Sequence, residues 1–306
     1  MQTTFYFRWL VALGLWLGTG LMAHATHILG GEITYAPIAS TTAGVPRYRL
    51  TALLYCDPSP TAAMQPTLKI TCSRGGCGTT APGSFDVTVP YNQISTTNSL
   101  GCANSPLYSY KVLKFEVDVD LPAGQWTLSV QEYNRSADIL NLVNPIYHGY
   151  YISAYLDNGL VGQNASPKFL SALLPYLCNG QAQRYSFATF ESDGDSLVYQ
   201  FVQPAEPSQI TSVCSTPVPG TLSPHFQINA ANGTLTAIPA PIQQGRYAMT
   251  ARVSEYRRVN GSWQLIGYIT RDIVYLAVAS LNQTPRFTGL TLNGATTPLP
   301  MGHSGF

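Results

Sequence analysis

The chain has 306 residues, of which only 10% are charged, and its formal net charge is +1. A chain with so little excess positive charge is a poor candidate for binding nucleic acid or an anionic membrane surface. The 19 tyrosines, 26 glycines and 22 prolines are instead typical of an extracellular β protein with many turns.

The first 25 residues have the layout of a secretory signal peptide. Arg8 precedes an apolar run over residues 9–22, and Ala23 and Ala25 supply the small residues before a cleavage site after Ala25. This run is shorter than the roughly 20 residues that a transmembrane helix needs, and no later segment is long and apolar enough. We therefore expect an extracellular or outer-surface protein with no membrane span after leader cleavage.

Alternating apolar and polar residues predict β-strands along most of the remaining chain. In residues 110–120, for example, Leu113 and Phe115 point to one face and Lys114 to the other. The predicted strands cover residues 47–55, 110–120, 125–133, 146–156, 184–190, 196–202, 226–229, 234–238, 245–257 and 262–278.

Turn residues separate these strands. Residues 121–124 form a short hairpin link, and Asn260-Gly261 marks the clearest tight turn, because both residue types accept a left-handed backbone. Residues 57–66 and 90–108 are predicted to be loops, and residues 136–143 are the only segment with helical character.

A change in composition near residues 160–168 divides the chain. We predict an all-β fold with two β-sandwich modules in tandem after the signal peptide. The first module covers residues 26–162 and the second covers residues 163–281. Residues 282–306 are predicted to be a tail or the start of a further module.

The even number of cysteines predicts disulfides in an exported chain. Four precede residue 103 and two follow residue 177, so the simplest arrangement pairs the last two within the second module. Three pairings of the first four stay open, and we prefer Cys72–Cys77 with Cys56–Cys102. A zinc site at Cys72 and Cys77 is the rival, but it lacks a second ligand pair at the usual spacing. The six are Cys56, Cys72, Cys77, Cys102, Cys178 and Cys214.

Several segments form an ordered series: THILGGEITY from Thr26, ESDGDSLVYQF from Glu191, FQINAANGTLTAIP from Phe226, GRYAMTARVSEYR from Gly245 and GYITRDIVYLAV from Gly267. Together they resemble a family of Bacteroidetes secreted surface proteins, whose members often contain PKD domains or are associated with gliding motility. The resemblance covers most of residues 26–282. It implies that the second module is an immunoglobulin- or cadherin-like domain with a D-x-D-G-D signature, in which Glu191 replaces an aspartate.

Glu191, Asp193 and Asp195 are the candidate metal ligands, because carboxylate oxygens around a glycine turn suit Ca²⁺. Three side chains are too few for six to eight ligands, so backbone carbonyls or Glu255 would have to complete the shell. The alternative is a solvated turn in which Asp193 and Asp195 accept hydrogen bonds from nearby backbone N–H groups.

Four tyrosines cluster in the predicted strand over residues 146–156: Tyr147, Tyr150, Tyr151 and Tyr155. Exposed rings can stack on sugars or anchor a protein partner, so these are the candidate binding residues for an unknown glycan or surface protein. The alternative is that the rings pack in the core or between the modules.

No motif for a catalytic nucleophile, a nucleotide or a zinc hydrolase occurs in the sequence. Glu116, Asp118 and Asp120 share one strand face, whereas glycosidases place their two acids on separate elements. We therefore predict a non-catalytic binding, adhesion or structural module of the bacterial envelope. Two alternatives stay open: a calcium-stiffened spacer of a larger surface protein, and a polysaccharide-active enzyme.

Overall fold

The computed structural model describes residues 28–58, 66–75, 82–98, 102, 109–133, 135–178, 184–208, 214–238 and 242–278. The predicted signal peptide, the predicted tail and Cys77 lie outside the described residues. Within the described ranges, helix is limited to a 3-10 turn, Pro145–Tyr147, and to α1, Asn158–Val161. No helix there has the length and apolar character that a membrane crossing requires. The prediction of an all-β fold is confirmed.

The strands of the first half are long, and their alternation of buried and exposed residues matches the sequence pattern. They are β1 Ile28–Ile38, β2 Arg47–Cys56, β3 Thr67–Arg74, β4 Phe85–Asn98, β5 Ser109–Asp120, β6 Gln125–Glu132 and β7 Tyr150–Asp157.

The second half combines short strands with one long hairpin. The short strands are β8 Lys168–Phe169, β9 Tyr176–Cys178, β10 Arg184–Ser186, β11 Thr189–Phe190, β12 Ser196–Val202, β13 Ala205–Pro207, β14 Ser215–Pro217, β15 Phe226–Ile228 and β16 Thr234–Ala237. The hairpin consists of β17 Gly245–Val259 and β18 Ser262–Val278.

Thirteen of the described strands belong to one sheet, in the order β12-β17-β18-β1-β2-β5-β4-β3-β6-β7-β13-β14, with β9 added beside β18. The first half of β4 pairs with β3 and its second half pairs with β5. One edge of β18 pairs with both β1 and β7, so eight strands from β18 through β4 to β7 form a closed ring.

The inside of this ring is the larger apolar core. It is built from alternate residues of β1, β2, β3, β5, β6 and β7, and Trp126 and Phe115 are among its largest buried side chains. A second core lies under the long hairpin, where Met249 and Tyr275 pack against side chains of the small sheet β10-β16-β15, such as Phe226 and Leu235. Burying apolar surface on this scale is the main favourable contribution to folding.

Three local predictions are wrong. Residues 136–143 form turns rather than a helix, because Leu140 N–H donates to the carbonyl of Arg246 and Val143 N–H donates to that of Pro219. Residues 90–98 continue β4 instead of forming a loop. The strand predicted over residues 146–156 begins later, at Tyr150, after the 3-10 turn. In the first two cases backbone hydrogen bonds to other segments decide the local conformation, whereas the 3-10 turn is closed by local bonds, such as that from Tyr147 N–H to the carbonyl of Asn144.

Strands from both sides of residue 162 share backbone hydrogen bonds, since β18 pairs with β1 and β7. This junction brings together two of the segments that carry the family resemblance. Glu32 of β1 lies opposite Arg271 of β18 and forms a buried ion pair with it. A Cβ atom on Gly30 would lie 2.5 Å from the carbonyl oxygen of Asp272, so only glycine fits at this crossing. The predicted division into two modules stays a prediction.

The predicted disulfide pairing is wrong. Cys102 is bonded to Cys178, whereas we had expected Cys56–Cys102 and Cys178–Cys214. Cys56 and Cys72 carry free thiols, which also excludes the Cys72–Cys77 bridge. Cys214 is disulfide-bonded as expected, although not to Cys178. The expectation failed because it confined each bridge to one half of the chain, whereas the sheet brings the two halves side by side.

Candidate functional site

The acidic turn between β11 and β12 is held together by its own hydrogen bonds. The carboxylate of Glu191 accepts from the backbone N–H groups of Asp193, at 2.6 Å, and Asp195, at 2.8 Å, and also from that of Gly194. Carboxylate oxygens of the three acids lie within 4.8 Å of one another, so the three predicted ligands do come together. Glu191 thus accepts from three local backbone donors, a role that the solvated-turn alternative had given to Asp193 and Asp195.

A guanidinium group pairs with two of the three carboxylates of this turn. Arg257 of β17 donates two hydrogen bonds to Asp195, at 2.7 and 2.6 Å, and its Nη2 lies 3.6 Å from an oxygen of Asp193. Asp193 also accepts from the backbone N–H of Ala165, at 2.8 Å. Bidentate arginine–carboxylate pairs of this kind are among the stronger polar contacts in proteins. A bound Ca²⁺ would have to share these oxygens with Arg257.

Glu255 does not join the three acids. It is fully buried on β17, where its Oε2 accepts from Tyr35 Oη and from Asn164 Nδ2, both at 3.3 Å, while its Oε1 has no hydrogen-bond partner. Burial raises the pKa of Glu255 to about 8, and the nearby negative charges of Asp195 and Glu191 add to the shift. The geometry therefore favours a neutral carboxylic acid at this position rather than a calcium ligand.

The four predicted binding tyrosines separate into different environments. Tyr147 is 82% exposed on the 3-10 turn, whereas Tyr150 is buried in the core and donates to the carbonyl of Asp272 at 3.0 Å. Tyr151 and Tyr155 point to the opposite face of β7, because side chains alternate along a strand. There Tyr151 is buried as well, at 6% exposure, and Tyr155 is half-buried, so Tyr147 is the one fully exposed ring of the four. Only these two lie together on one surface of the sheet.

That surface is a polar face formed by β6, β7, β18 and β17. The register places Tyr155 of β7 opposite Tyr268 of β18, and their rings stack with centroids 5.6 Å apart. The guanidinium of Arg252 on β17 lies over the ring of Tyr268, 4.4 Å from its centroid. Arg252, Tyr268 and Tyr155 therefore form a continuous row across three strands.

Next to this row lies a half-enclosed cavity with a volume of about 240 Å³, which we name the β7 cavity. Strands β7, β17 and β18 contribute its floor. The edge strands β12, β13 and β14 of the same sheet contribute its wall, and Ala205 of β13 pairs with Tyr151 of β7. The floor residues are Tyr151, Ser153, Thr250, Arg252 and Thr270. The wall residues are Val202, Gln203, Ala205, Ser215 and Pro217.

Two polar atoms in the floor of the β7 cavity are buried without a hydrogen-bond partner: Nε of Arg252 and Oγ1 of Thr250. Buried polar groups in folded proteins are nearly always hydrogen-bonded, because leaving one unpaired costs roughly 1–3 kcal/mol. Arg252 also forms no salt bridge with any carboxylate in the described part of the chain. Because both atoms are covered by the protein itself, they do not by themselves indicate a ligand. The polar group that a ligand in the cavity could pair with is the partly exposed side chain of Arg252, which has no carboxylate partner among the described residues.

The carboxylates that could have suggested hydrolysis lie elsewhere. Asp118 is paired with Arg49 at 2.8 Å and Glu116 with Lys114 at 2.9 Å, on the outer face of β5. Neither side chain lines the β7 cavity, and the described lining residues include no carboxylate, histidine or thiol.

Sequence reasoning missed Arg252, Thr250, Thr270 and Ser153, although it selected Tyr151. Polar residues at alternate positions, Thr250-x-Arg252 in β17 and Tyr268-x-Thr270 in β18, were the available signal. That signal identifies a solvated face but not the wall that covers it.

The family resemblance stays a prediction, because comparisons with family models, curated proteins and solved structures give no match.

Proposed function

We propose that this chain is an exported, non-catalytic binding protein of the bacterial envelope that holds one sugar unit of a glycan in the β7 cavity. The observation that carries this proposal is the composition of the cavity. An aromatic ring, Tyr151, stands beside several hydroxyl groups and the amide of Gln203. Sugar recognition uses this combination, since the ring packs on C–H groups while the polar groups bind hydroxyls.

The dimensions of the cavity also support a single sugar unit. Its volume of about 240 Å³ is below the roughly 300–1,000 Å³ typical of pockets for drug-sized ligands. The Arg252–Tyr268–Tyr155 row continues beyond the cavity, because neither Tyr268 nor Tyr155 is among the residues that line it, and neighbouring units of a chain could contact this row. A disulfide such as Cys102–Cys178 favours an oxidising compartment, which agrees with export.

The proposal is tested by closing the cavity. Ser215 lies on an exposed part of β14 and lines the cavity, whereas the next residue, Thr216, is exposed and does not line it. We expect Ser215→Trp to abolish binding to an array of neutral and acidic oligosaccharides. Thr216→Trp, the matched control, adds the same ring to the other side of the same strand and should bind like the wild type.

Three outcomes of this experiment would contradict the proposal. The first is that neither the wild type nor the control binds any oligosaccharide, which would favour a protein partner. The second is equal binding by both tryptophan variants, which would place the glycan elsewhere. The third is the release of new reducing ends from a bound oligosaccharide, which would favour the polysaccharide-active enzyme.

The calcium-stiffened spacer is the second candidate, and the cluster of Glu191, Asp193 and Asp195 is the observation that favours it. It is the weaker candidate because Arg257 already supplies a positive charge to two of these carboxylates. Its signature would be a melting temperature that rises with Ca²⁺ and does not rise in Asp193→Ala/Asp195→Ala.

A further inference from the structure

The β7 cavity has an unbalanced positive charge. Among the described residues that line it, Arg252 is the only charged one. The nearest buried carboxylate on the same face is Asp272, but both of its oxygens accept hydrogen bonds from Arg135, at 2.6 and 3.3 Å. On the covering segment, Glu206 lies 3.1 Å from His148 Nδ1. The guanidinium of Arg252 is thus left without a counter-charge in the described residues.

The surroundings hold this guanidinium in place. It lies over the ring of Tyr268, which itself stacks on Tyr155, so its plane is supported on one side. A cation over an aromatic face is stabilised there, but the edge of the guanidinium with its N–H donors stays available. A pre-oriented guanidinium edge matches the two oxygens of a carboxylate, with which arginine forms paired hydrogen bonds.

We propose that the sugar unit held in the β7 cavity is a hexuronate, whose carboxylate binds the guanidinium of Arg252 and whose hydroxyls bind the neighbouring polar groups. This inference rests on the proposed function and specifies its ligand. A hexuronate differs from a neutral hexose only in having a carboxylate at C6. That carboxylate supplies the counter-charge that Arg252 lacks among the described residues.

The test compares sugars that differ only in this group. Binding is measured by calorimetry for galacturonate and glucuronate oligosaccharides, for their methyl esters, and for the matching neutral galactose and glucose oligosaccharides. We expect one of the two acids to bind at least 10-fold more tightly than its own ester and its neutral counterpart, because a charge-assisted hydrogen bond is lost.

Arg252→Gln should reduce binding of the acid by about 10- to 100-fold and leave binding of the methyl ester unchanged. Arg252→Lys keeps the charge but not the paired donors, so it should bind with intermediate affinity. Unchanged melting temperatures would show that the variants fold.

Equal affinity for the acid, its ester and the neutral sugar would overturn the inference while leaving the proposed function intact, provided that Ser215→Trp still abolishes binding. Tighter binding of a sulfated galactose oligosaccharide than of either uronate would also overturn it, since the anion would then be a sulfate ester. Loss of all oligosaccharide binding in the wild type would instead contradict the proposed function itself.

Discussion

At the residue scale, the buried carboxyl of Glu255 makes the stability of the fold depend on pH. Burial and two nearby carboxylates raise its pKa from 4.5 to about 8, and the structure offers its Oε1 no hydrogen-bond donor. Between these two pH values, the folded protein keeps a proton on Glu255 that the unfolded chain has already released. The free energy of unfolding therefore falls as the pH rises through this window, by about 1.4 kcal/mol per pH unit.

We predict that Glu255→Gln removes this dependence, because an amide resembles the neutral acid and does not titrate. Urea unfolding at pH 5, 6.5 and 8 should show the variant gaining stability relative to the wild type as the pH rises. Glu116→Gln is the control: hydrogen bonding to Lys114 lowers the pKa of Glu116, so its titration is complete below this window. A stability difference between Glu255→Gln and the wild type that stays constant with pH would contradict the prediction.

Single residues also show where local sequence was informative. The motif around Glu191, Asp193 and Asp195 identified a real cluster, because its members are close in the chain and bond to one another's backbone. Arg257, which pairs with two of these acids, lies on strand β17, 62 residues after Asp195 in the sequence. The local sequence pattern predicted the cluster of carboxylates but could not predict that Arg257 pairs with it.

At the element scale, the hairpin of β17 and β18 was predicted nearly to the residue. Its turn, Asn260-Gly261, has φ values of 50° and 84°, both in the left-handed region that these two residue types tolerate. The failed helix over residues 136–143 illustrates the opposite case, since its backbone groups bond to the strand β17 and to Pro219. The type of a tight turn depends on two adjacent residues and can be predicted from them. Tertiary hydrogen bonds join residues that are distant in the sequence and cannot be predicted in this way.

We predict that Gly261→Ala lowers the free energy of unfolding by about 1–2 kcal/mol, which is the cost of a left-handed backbone for a residue with a Cβ atom. Steric contact adds nothing, because no atom lies within 4 Å of the position that the Cβ would take. Gly261→Asn is the matched variant and should lose less, as asparagine tolerates this conformation. Denaturant unfolding measures both, and equal losses would show that the turn geometry is not the cause.

At the scale of the whole molecule, the site and the disulfide have the same origin. The β7 cavity combines Tyr151 from the first half of the chain with Arg252 and Ser215 from the second. Cys102–Cys178 likewise joins the two halves across the predicted boundary. The sequence predicted the strands that build this arrangement, but their pairing order depends on contacts between distant segments, and for that reason neither the cavity nor the bridge could be foreseen.

The bridge should stabilise the entire fold, because it closes a loop between residues 76 positions apart in the sequence. In the chain-entropy description, a loop of this length stabilises the folded state by about 4 kcal/mol, so Cys102→Ser/Cys178→Ser should lower the free energy of unfolding by roughly that amount. Urea unfolding of the variant beside the wild type, without reductant, measures this loss. A loss well below 1 kcal/mol would contradict the account.

Peptide mapping without reduction supplies the control for this last prediction. Peptides containing Cys102 and Cys178 should remain linked to each other. Cys56 and Cys72 should react with iodoacetamide only after unfolding, since burial raises the pKa of both thiols to about 12 and shields them from the reagent. A linked Cys56–Cys102 peptide would instead restore the pairing expected from the sequence. The two halves of the chain would then be held together by the hydrogen bonds of β18, without this covalent bridge.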